Sequence, residues 1–233
     1  MKIIKRSGRT DQPYFTDSEI DRIAVEELSG AGLLPSSAVP IRIERFVEKR
    51  FRLERVSYED LPATVLGYTQ FGSKGVEAVF VSRALVEEGN RVAERRVNST
   101  LAHEAGHGLL HAHLFMLQSF PTGLFDDDKD VTPARILCRD NPTAPKRAAY
   151  DGRWWEYQAN RMIGALLLPK PLVLAAIGPH LVAAGQLGTP TLHNGQRGKV
   201  ARDLADLFDV NLQVAEIRLA TLCPPASVDQ LTL

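Results

Sequence analysis

The sequence predicts a mostly helical α+β fold in which a small antiparallel β-sheet packs on one central helix. Apolar residues recur at helical spacing through most of the 233 residues, and the period changes to two only between residues 64 and 82. With 44% hydrophobic and 24% charged residues, the chain has an ordinary globular composition. Its length suits one large domain or one domain with a small appendix, and we expect a main domain over residues 1–195 and a helical segment over 196–233 that packs on it.

The N-terminal part predicts a loose arm followed by two helices. The arm covers residues 1–15, and a first helix over Glu19–Leu28 has its cap at Asp17 or Ser18. A second helix is expected over residues 40–50, because a proline suits the first turn of a helix.

Two strand-like segments follow, Thr64–Phe71 and Val76–Ser82, joined by the turn Gly72-Ser-Lys-Gly75. Short runs with a glycine-bounded connection are typical of a β-hairpin. The sheet could simply cover the central helix. It could also bind an extended peptide along an exposed strand edge by main-chain hydrogen bonds. The sequence leaves both interpretations open.

The central helix contains His103-Glu104-Ala105-Gly106-His107, an H-E-x-x-H sequence. Positions i and i+4 share one face of a helix, so both imidazoles can point at one ion. Glu104 lies beside the first histidine and can take a proton from a water without binding the metal. Core histidines brought together by chance are the alternative, but unpaired imidazoles are unfavourable on a buried helix.

The residues before the motif predict the start of this helix and a connector. Asn98, Ser99 or Thr100 can cap the helix. Asn90–Val97 is expected to be a basic connector, whose arginines either hold a substrate carboxylate or lie in solvent: Arg91, Arg95 and Arg96.

A zinc site usually takes three protein ligands, and three residues compete for the third place. His111 lies one helical turn beyond the ion, and His113 has the metzincin spacing without its glycine. Glu156 lies on a second helix, where Asn160 one turn later can support it. Spacing alone does not decide whether Glu156 is a ligand or a surface acid.

The segment from about Ser119 to Arg153 is rich in Pro, Asp and Gly and predicts a long irregular loop. Loops of this length are uncommon in compact domains unless they form lids or are disordered. We expect either a lid over the site or a disordered segment.

The motif His-Glu-Ala-Gly-His-Gly-Leu-Leu-His, followed by Glu156-x-x-Ala159-Asn160 and Leu-Leu-Leu-Pro, resembles the ImmA/IrrE family of zinc metallopeptidases. The resemblance covers about residues 17–222, with Leu168 in place of a methionine and Asn211 in place of a serine. It implies a zincin-like fold that binds Zn²⁺, with its ligands and base on these residues: His103, His107 and Glu156 as ligands, and Glu104 as base.

The resemblance also implies an activity and a partner. We expect a zinc-dependent endopeptidase that hydrolyses a peptide bond, with a helix-turn-helix repressor of a mobile element or a stress response as substrate. Residues that could support the ligands or the transition state are Asn160, Tyr157, His113 and Tyr150. The alternative is a regulatory module with the same fold that docks a transcription factor without cutting it.

Charge and cysteine content bound the remaining partners. Lys and Arg together number 28, as do Asp and Glu, so no nucleic-acid partner is expected. Two cysteines do not make a disulfide framework, and the N-terminus has no secretory signal, which predicts a cytoplasmic protein. Prolines interrupt the apolar region Met162–Gly185, which predicts buried helices and no membrane span.

The C-terminal part predicts two short helices joined by a tight turn, the outline of a helix-turn-helix. The second helix begins Leu-Gln-Val-Ala-Glu, which offers little to DNA bases. We therefore expect packing, at Ala201, Leu204, Ala205, Phe208, Val210, Val214, Ile217 and Leu219.

Overall fold

A computed structural model describes residues 2–4, 12–116, 134–139, 154–182 and 191–224. Its helices are α1 Asp17–Gly30, α2 Ile43–Phe51, α3 Arg83–Glu87, α4 Arg91–Leu110, α5 Ala112–Met116, α6 Trp154–Leu167, α7 Lys170–Ile177, α8 Arg197–Leu207 and α9 Leu212–Leu222. Its strands are β1 Lys2–Ile4, β2 Gln12–Tyr14, β3 Ser57–Glu59, β4 Val65–Gly72, β5 Gly75–Ser82, β6 Ala134–Arg139, β7 Leu181–Val182 and β8 Thr191–Leu192. The mostly helical α+β class is confirmed.

The main sheet has four strands in the order β3-β5-β4-β6. The predicted hairpin is confirmed, since β4 and β5 pair antiparallel up to Gly72 and Gly75. The expectation of a purely antiparallel sheet is wrong, because β3 pairs parallel with β5. This strand of three residues is too short to show a period of two in the sequence. Two small antiparallel pairs, β1–β2 and β7–β8, complete the described strands.

The sheet packs on α4 through β4 and β5, as predicted. Gly67 makes this close approach possible. A Cβ atom there would lie 2.7 Å from the carbonyl oxygen of Phe80 and 2.7 Å from Cγ2 of Thr100. The covering role of the sheet is therefore confirmed, whereas peptide binding at a strand edge stays a prediction. Within the described strands, β3 and β6 form the two edges.

The start of α4 lies eight residues or more before the predicted caps. Asn90 is the N-cap, and its side-chain oxygen accepts a hydrogen bond from the Ala93 amide at 3.0 Å. The predicted connector is thus the first two turns of α4. The helix ends at Leu110, because His111 adopts φ −122° and ψ −3°, and α5 follows as a separate short helix.

The first two helices also differ from prediction at their starts. Thr16 caps α1, with Glu19 completing a reciprocal capping box, so Asp17 and Ser18 lie inside the helix. The second helix begins at Ile43, three residues after the proline that was expected to start it.

The arginines of α4 pair with carboxylates, and Arg91 also lies largely in solvent, with its side chain 59% exposed. A role in holding a substrate carboxylate stays a prediction. The Nε atoms of Arg91 and Arg95 both lie 2.9 Å from Asp209, in the turn between α8 and α9, and Arg96 faces Glu88. Their carboxylate partners lie more than a hundred residues away in two cases, which a local sequence pattern cannot reveal.

The C-terminal helices share the core of the rest of the chain. Of the predicted packing positions, Ile217 is wrong, because it is 52% exposed. Arg218 takes the inward place: its Nη1 lies 2.7 Å from Oδ1 of Asp21, and its Nε donates to the Leu168 carbonyl at 3.0 Å. The boundary at residues 195/196 stays a prediction.

The loop expected between Ser119 and Arg153 contains a strand, β6, which pairs antiparallel with β4. The prediction of an irregular segment is therefore wrong for Ala134–Arg139, whose pairing partner lies about 70 residues earlier. The remainder of that segment, and with it the lid hypothesis, lies outside the described residues.

The apolar region Met162–Gly185 forms buried helices as predicted as far as Ile177, in α6 and α7, whereas Leu181–Val182 form strand β7. No single helix in the described part of the chain is long and apolar enough to cross a membrane. Among the described helices, only α6 and the segment Lys170–His180 pass that test, as a pair bent by 56°.

Candidate metal centre

Two helices meet at the candidate centre with almost no side chain between them. At Gly106 of α4, an added Cβ atom would lie 3.1 Å from Cα of Ala159 and 3.0 Å from Cβ of Met162, both on α6. This close crossing brings the first turn of α6, with Glu156, against the face of α4 that carries His103 and His107.

The three side chains converge to the dimensions of a metal site. Nε2 of His103 lies 3.0 Å from Nε2 of His107. The Glu156 carboxylate lies 3.3 Å from the first of these nitrogens and 3.7 Å from the second. Ligands about 2.0–2.1 Å from a tetrahedral ion are about 3.3–3.4 Å from one another, which the three separations bracket. His103, His107 and Glu156 could therefore hold a metal ion.

The charges of the group also suit a cation. Burial lowers the pKa of His107 to about 4, so this imidazole is neutral near pH 7. Burial opposes ionisation of Glu156, but the neighbouring imidazoles of His103 and His107 outweigh it and lower the pKa of the carboxyl. Neutral imidazoles and an ionised carboxylate are the protonation states that metal binding requires.

The second nitrogen of each imidazole has a polar neighbour. Nδ1 of His103 lies 3.1 Å from Oδ1 of Asn160. Because an amide oxygen can only accept, this ring nitrogen donates, and Nε2 keeps its lone pair. Asn160 thus lies where the sequence placed it, one turn after Glu156. Nδ1 of His107 faces Nδ1 of His111 at 3.2 Å.

Glu104 is fully buried beside this group, and one of its two oxygens has a partner. The Thr69 hydroxyl donates to Oε2 at 2.6 Å. Oε1 is buried without a hydrogen-bond partner in the described part of the chain. Burial raises the pKa of Glu104 to about 7, with the charge of Glu156 acting in the same direction and His103 and Thr69 opposing it.

Two of the other residues predicted for the site, Tyr157 and His113, lie in the described part of the chain. The Tyr157 hydroxyl accepts a hydrogen bond from Nε of Arg161 at 3.0 Å. His113 lies on α5, where partial burial lowers its pKa. Tyr150 lies outside the described residues. Support of a transition state by any of the three stays a prediction.

The sequence did not predict two buried polar residues next to the group. Thr69 contacts Glu104 from β4, and Gln158 contacts His111 from α6. His111, a candidate third ligand by sequence, is fully buried, with Nδ1 towards His107 and Nε2 towards Gln158. Polar residues within otherwise apolar segments were the available signal, but their partners are fixed only by the tertiary fold.

Comparison with known proteins found no matching family model and no matching curated protein. Fold and geometry together define a mostly helical α+β protein with a buried His-His-Glu group that could bind a metal ion.

Proposed function

We propose that this protein is a zinc-dependent endopeptidase of the ImmA/IrrE type. The single observation that carries the proposal is the convergence of His103, His107 and Glu156 next to the buried carboxylate of Glu104. A structural cluster would need only mutual hydrogen bonds. Here a fourth group, Glu104, keeps a buried oxygen without a partner, which suits a catalytic base.

His103, His107 and Glu156 would hold the metal, with the orientation of the His103 ring supported by Asn160. When bound, Zn²⁺ supplies a Lewis acid that makes a water more acidic and polarises a carbonyl group. Three protein ligands would leave one position for that chemistry, which is the usual arrangement of catalytic zinc sites.

Glu104 moves the proton. Its Oε1 takes a proton from the attacking water, and the same carboxyl then delivers it to the leaving amine. A pKa of about 7 suits both steps, because the group gives and takes a proton with similar ease near neutral pH. Thr69 holds Oε2, so that the proton is exchanged at the other oxygen.

We infer the substrate from the sequence resemblance. The motif pair on α4 and α6 carries that resemblance, which supports a peptide bond in a helix-turn-helix repressor as the target. The two cysteines, too few for a disulfide framework, support the cytoplasm as the setting. Nothing in the charge balance of 28 basic and 28 acidic residues favours DNA as a direct partner.

Metal analysis and a cleavage assay on a helix-turn-helix regulator encoded beside the protein test the proposal. Wild type should contain one zinc per chain and cleave the regulator. His107→Ala should lose both. Glu104→Gln should keep the zinc and lose about 10²- to 10⁴-fold in kcat, because only the proton transfer is removed.

A non-cleaving docking module gives the opposite result. Glu104→Gln would then regulate its partner as well as wild type, and no cleavage product would form with either protein. Absence of zinc from the wild-type protein after metal loading would overturn the proposal altogether.

A further inference from the structure

A chain of hydrogen bonds through three buried side chains runs from His107 to the main chain of Phe15. Nδ1 of His107 lies 3.2 Å from Nδ1 of His111, whose Nε2 lies 3.1 Å from Oε1 of Gln158. Nε2 of Gln158 donates to the Phe15 carbonyl at 3.2 Å. His107, His111 and Gln158 are each fully buried. These three side chains and the Phe15 carbonyl are called here the imidazole relay.

The direction of every proton in the imidazole relay follows from its last member. A main-chain carbonyl can only accept, so Gln158 must turn its NH₂ group to Phe15 and its oxygen to His111. That oxygen also only accepts, which places a hydrogen on Nε2 of His111. Nδ1 of a neutral His111 is then an acceptor, so His107 must donate from its own Nδ1.

The consequence lies at the opposite nitrogen of His107. A neutral imidazole carries one hydrogen, so a hydrogen on Nδ1 leaves Nε2 with a free lone pair. Nε2 is the atom that faces His103 and Glu156. Trp154 packs edge-on against the His111 ring, with ring centroids 5.2 Å apart and planes at 81°, and so holds that ring in its orientation.

We propose that His111 and Gln158 are positioning residues, which set the tautomer of His107 from the main chain of Phe15 and so keep Nε2 ready for a metal. This inference rests on the metal site of the proposed function. If the hydrogen bonds of the imidazole relay ran in the opposite direction, His107 would carry its hydrogen on Nε2, where it would block coordination of a metal. Partners of this kind are worth about 10- to 100-fold in metal affinity.

NMR on the metal-free protein, labelled with ¹⁵N in its histidines, tests the tautomer directly. Two-bond ¹H–¹⁵N correlations distinguish a protonated Nδ1 from a protonated Nε2 in each of the six histidines. We expect His107 and His111 to show opposite tautomers, with hydrogens on Nδ1 and on Nε2 respectively. A hydrogen on Nε2 of His107 would overturn the proposal.

Two variants of similar size separate positioning from simple packing. In His111→Asn, the amide oxygen can accept from Nδ1 of His107, whereas His111→Leu offers no acceptor. We expect His111→Leu to mix the His107 tautomers and to weaken Zn²⁺ binding by about 10- to 100-fold, and His111→Asn to bind at least about ten-fold more tightly than His111→Leu. Titration against a zinc chelator of known affinity measures both.

A purely structural role predicts a different order. Leucine buries no unpaired amide, so His111→Leu would be at least as stable as His111→Asn and would bind zinc at least as well. Denaturant unfolding of both variants therefore accompanies the zinc titration. Gln158→Leu is a second variant, with its substitution on α6 and both histidines kept. It removes the acceptor for Nε2 of His111 and should therefore mix the His111 tautomers.

The failure of this inference differs from the failure of the proposed function. In one outcome, wild type binds zinc and cleaves its substrate, and both His111 variants and Gln158→Leu have equal zinc affinity. This outcome would overturn the positioning role of the imidazole relay and leave the peptidase proposal standing. A wild-type protein that binds no zinc but carries its hydrogen on Nδ1 of His107 would overturn the peptidase and support the tautomer assignment.

Discussion

Glu104 is a carboxyl group held in a place where its charge is unfavourable. It is fully buried, and the Thr69 hydroxyl donates a hydrogen bond of 2.6 Å to its Oε2. Burial therefore dominates and raises its pKa to about 7, well above that of an exposed glutamate at about 4.3. A carboxyl group whose pKa is raised by burial in this way is typical of a catalytic residue.

This shift predicts a pH dependence of stability in the metal-free protein. Between pH 4.5 and 7 the folded protein binds more protons at Glu104 than the unfolded chain does, so this residue's contribution falls as pH rises. Glu104→Gln lacks that contribution. The free energy of unfolding of the variant, minus that of wild type, should therefore grow with pH, by at most about 1.4 kcal/mol per pH unit.

Denaturant unfolding at half-unit pH steps, with a chelator present, measures this difference. Subtracting wild type removes the opposing effect of His107, whose lowered pKa makes both proteins more stable as pH rises from 4 to 6.5. A difference that stays constant from pH 4.5 to 7 would show that Glu104 has an ordinary pKa.

How far the site could be predicted differs from residue to residue. His103, Glu104 and His107 follow from local helix geometry, because the spacing i, i+4 is contained within one turn. The meeting of Glu156 with them depends on a helix 50 residues later, and spacing alone left it open. Thr69 and Gln158 could not be predicted, since their polar partners are supplied by other elements.

At the scale of elements, the site depends on how closely α4 and α6 approach. Gly106 removes the side chain at the crossing, and its neighbours across the gap are the backbone of Ala159 and Cβ of Met162. These atoms belong to a packed helix and cannot turn aside as the end of a flexible side chain could. The distance from Glu156 to the histidines is therefore set by the absence of one methyl group.

Gly106→Ala should push the two helices apart. Overpacking typically lowers the free energy of unfolding by about 1–3 kcal/mol, which exceeds the gain of up to about 1 kcal/mol from the better helix propensity of alanine. Zinc affinity should fall as well, since Glu156 moves away from both histidines. Unfolding curves and a chelator titration measure the two effects.

Gly198 is the matched control. It also lies in a helix, α8, but an added Cβ would meet no atom within 4 Å. Gly198→Ala should leave zinc affinity unchanged and raise stability by up to about 1 kcal/mol. Equal behaviour of the two variants would show that the helix crossing tolerates a methyl group.

Sequence patterns predicted the elements best where the signal was local. The β4–β5 hairpin was recognisable because a two-residue turn joins two runs of similar length. The first two turns of α4 were missed because their arginines suggested a solvated connector, whereas Asp206 of α8 and Asp209 of the following turn lie beside Arg91 and Arg95. Strand β6 was missed because Ala-Arg-Ile-Leu-Cys-Arg shows no clear alternation, and β4 supplies its hydrogen bonds.

At the scale of the whole molecule, one buried ion pair joins the two ends of the chain. Arg218 of α9 is 4% exposed and lies 2.7 Å from Asp21 of α1, while its Nε donates to the Leu168 carbonyl after α6. The pair therefore links the C-terminal helices to the N-terminal helix and to one of the two site helices.

Arg218→Met should lower the free energy of unfolding by about 3–5 kcal/mol, because it leaves the Asp21 carboxylate buried and unpaired. The double variant Arg218→Met, Asp21→Leu should recover much of that loss, since both charges are then removed. Denaturant unfolding of the single and double variants measures the difference.

Arg22→Met is the comparison, because Arg22 follows Asp21 in α1 and its ion pair with Glu26 is exposed. The Arg22–Glu26 pair has a similar separation, 2.8 Å, but its side chains are 61% and 59% exposed. Loss of this pair should therefore lower the free energy of unfolding by no more than about 1 kcal/mol. A similar cost for Arg218→Met and Arg22→Met would contradict a structural role for the buried pair.

The capping box of Thr16 and Glu19 has a practical consequence, because the carbonyl that orients Gln158 belongs to the preceding residue, Phe15. A shift of the chain just before α1 would move the Phe15 carbonyl, and so would change how Gln158 is oriented towards His111. An affinity tag fused upstream is therefore a worse choice than one placed after α9. Batches purified by the two routes should differ in how much zinc they retain through dialysis.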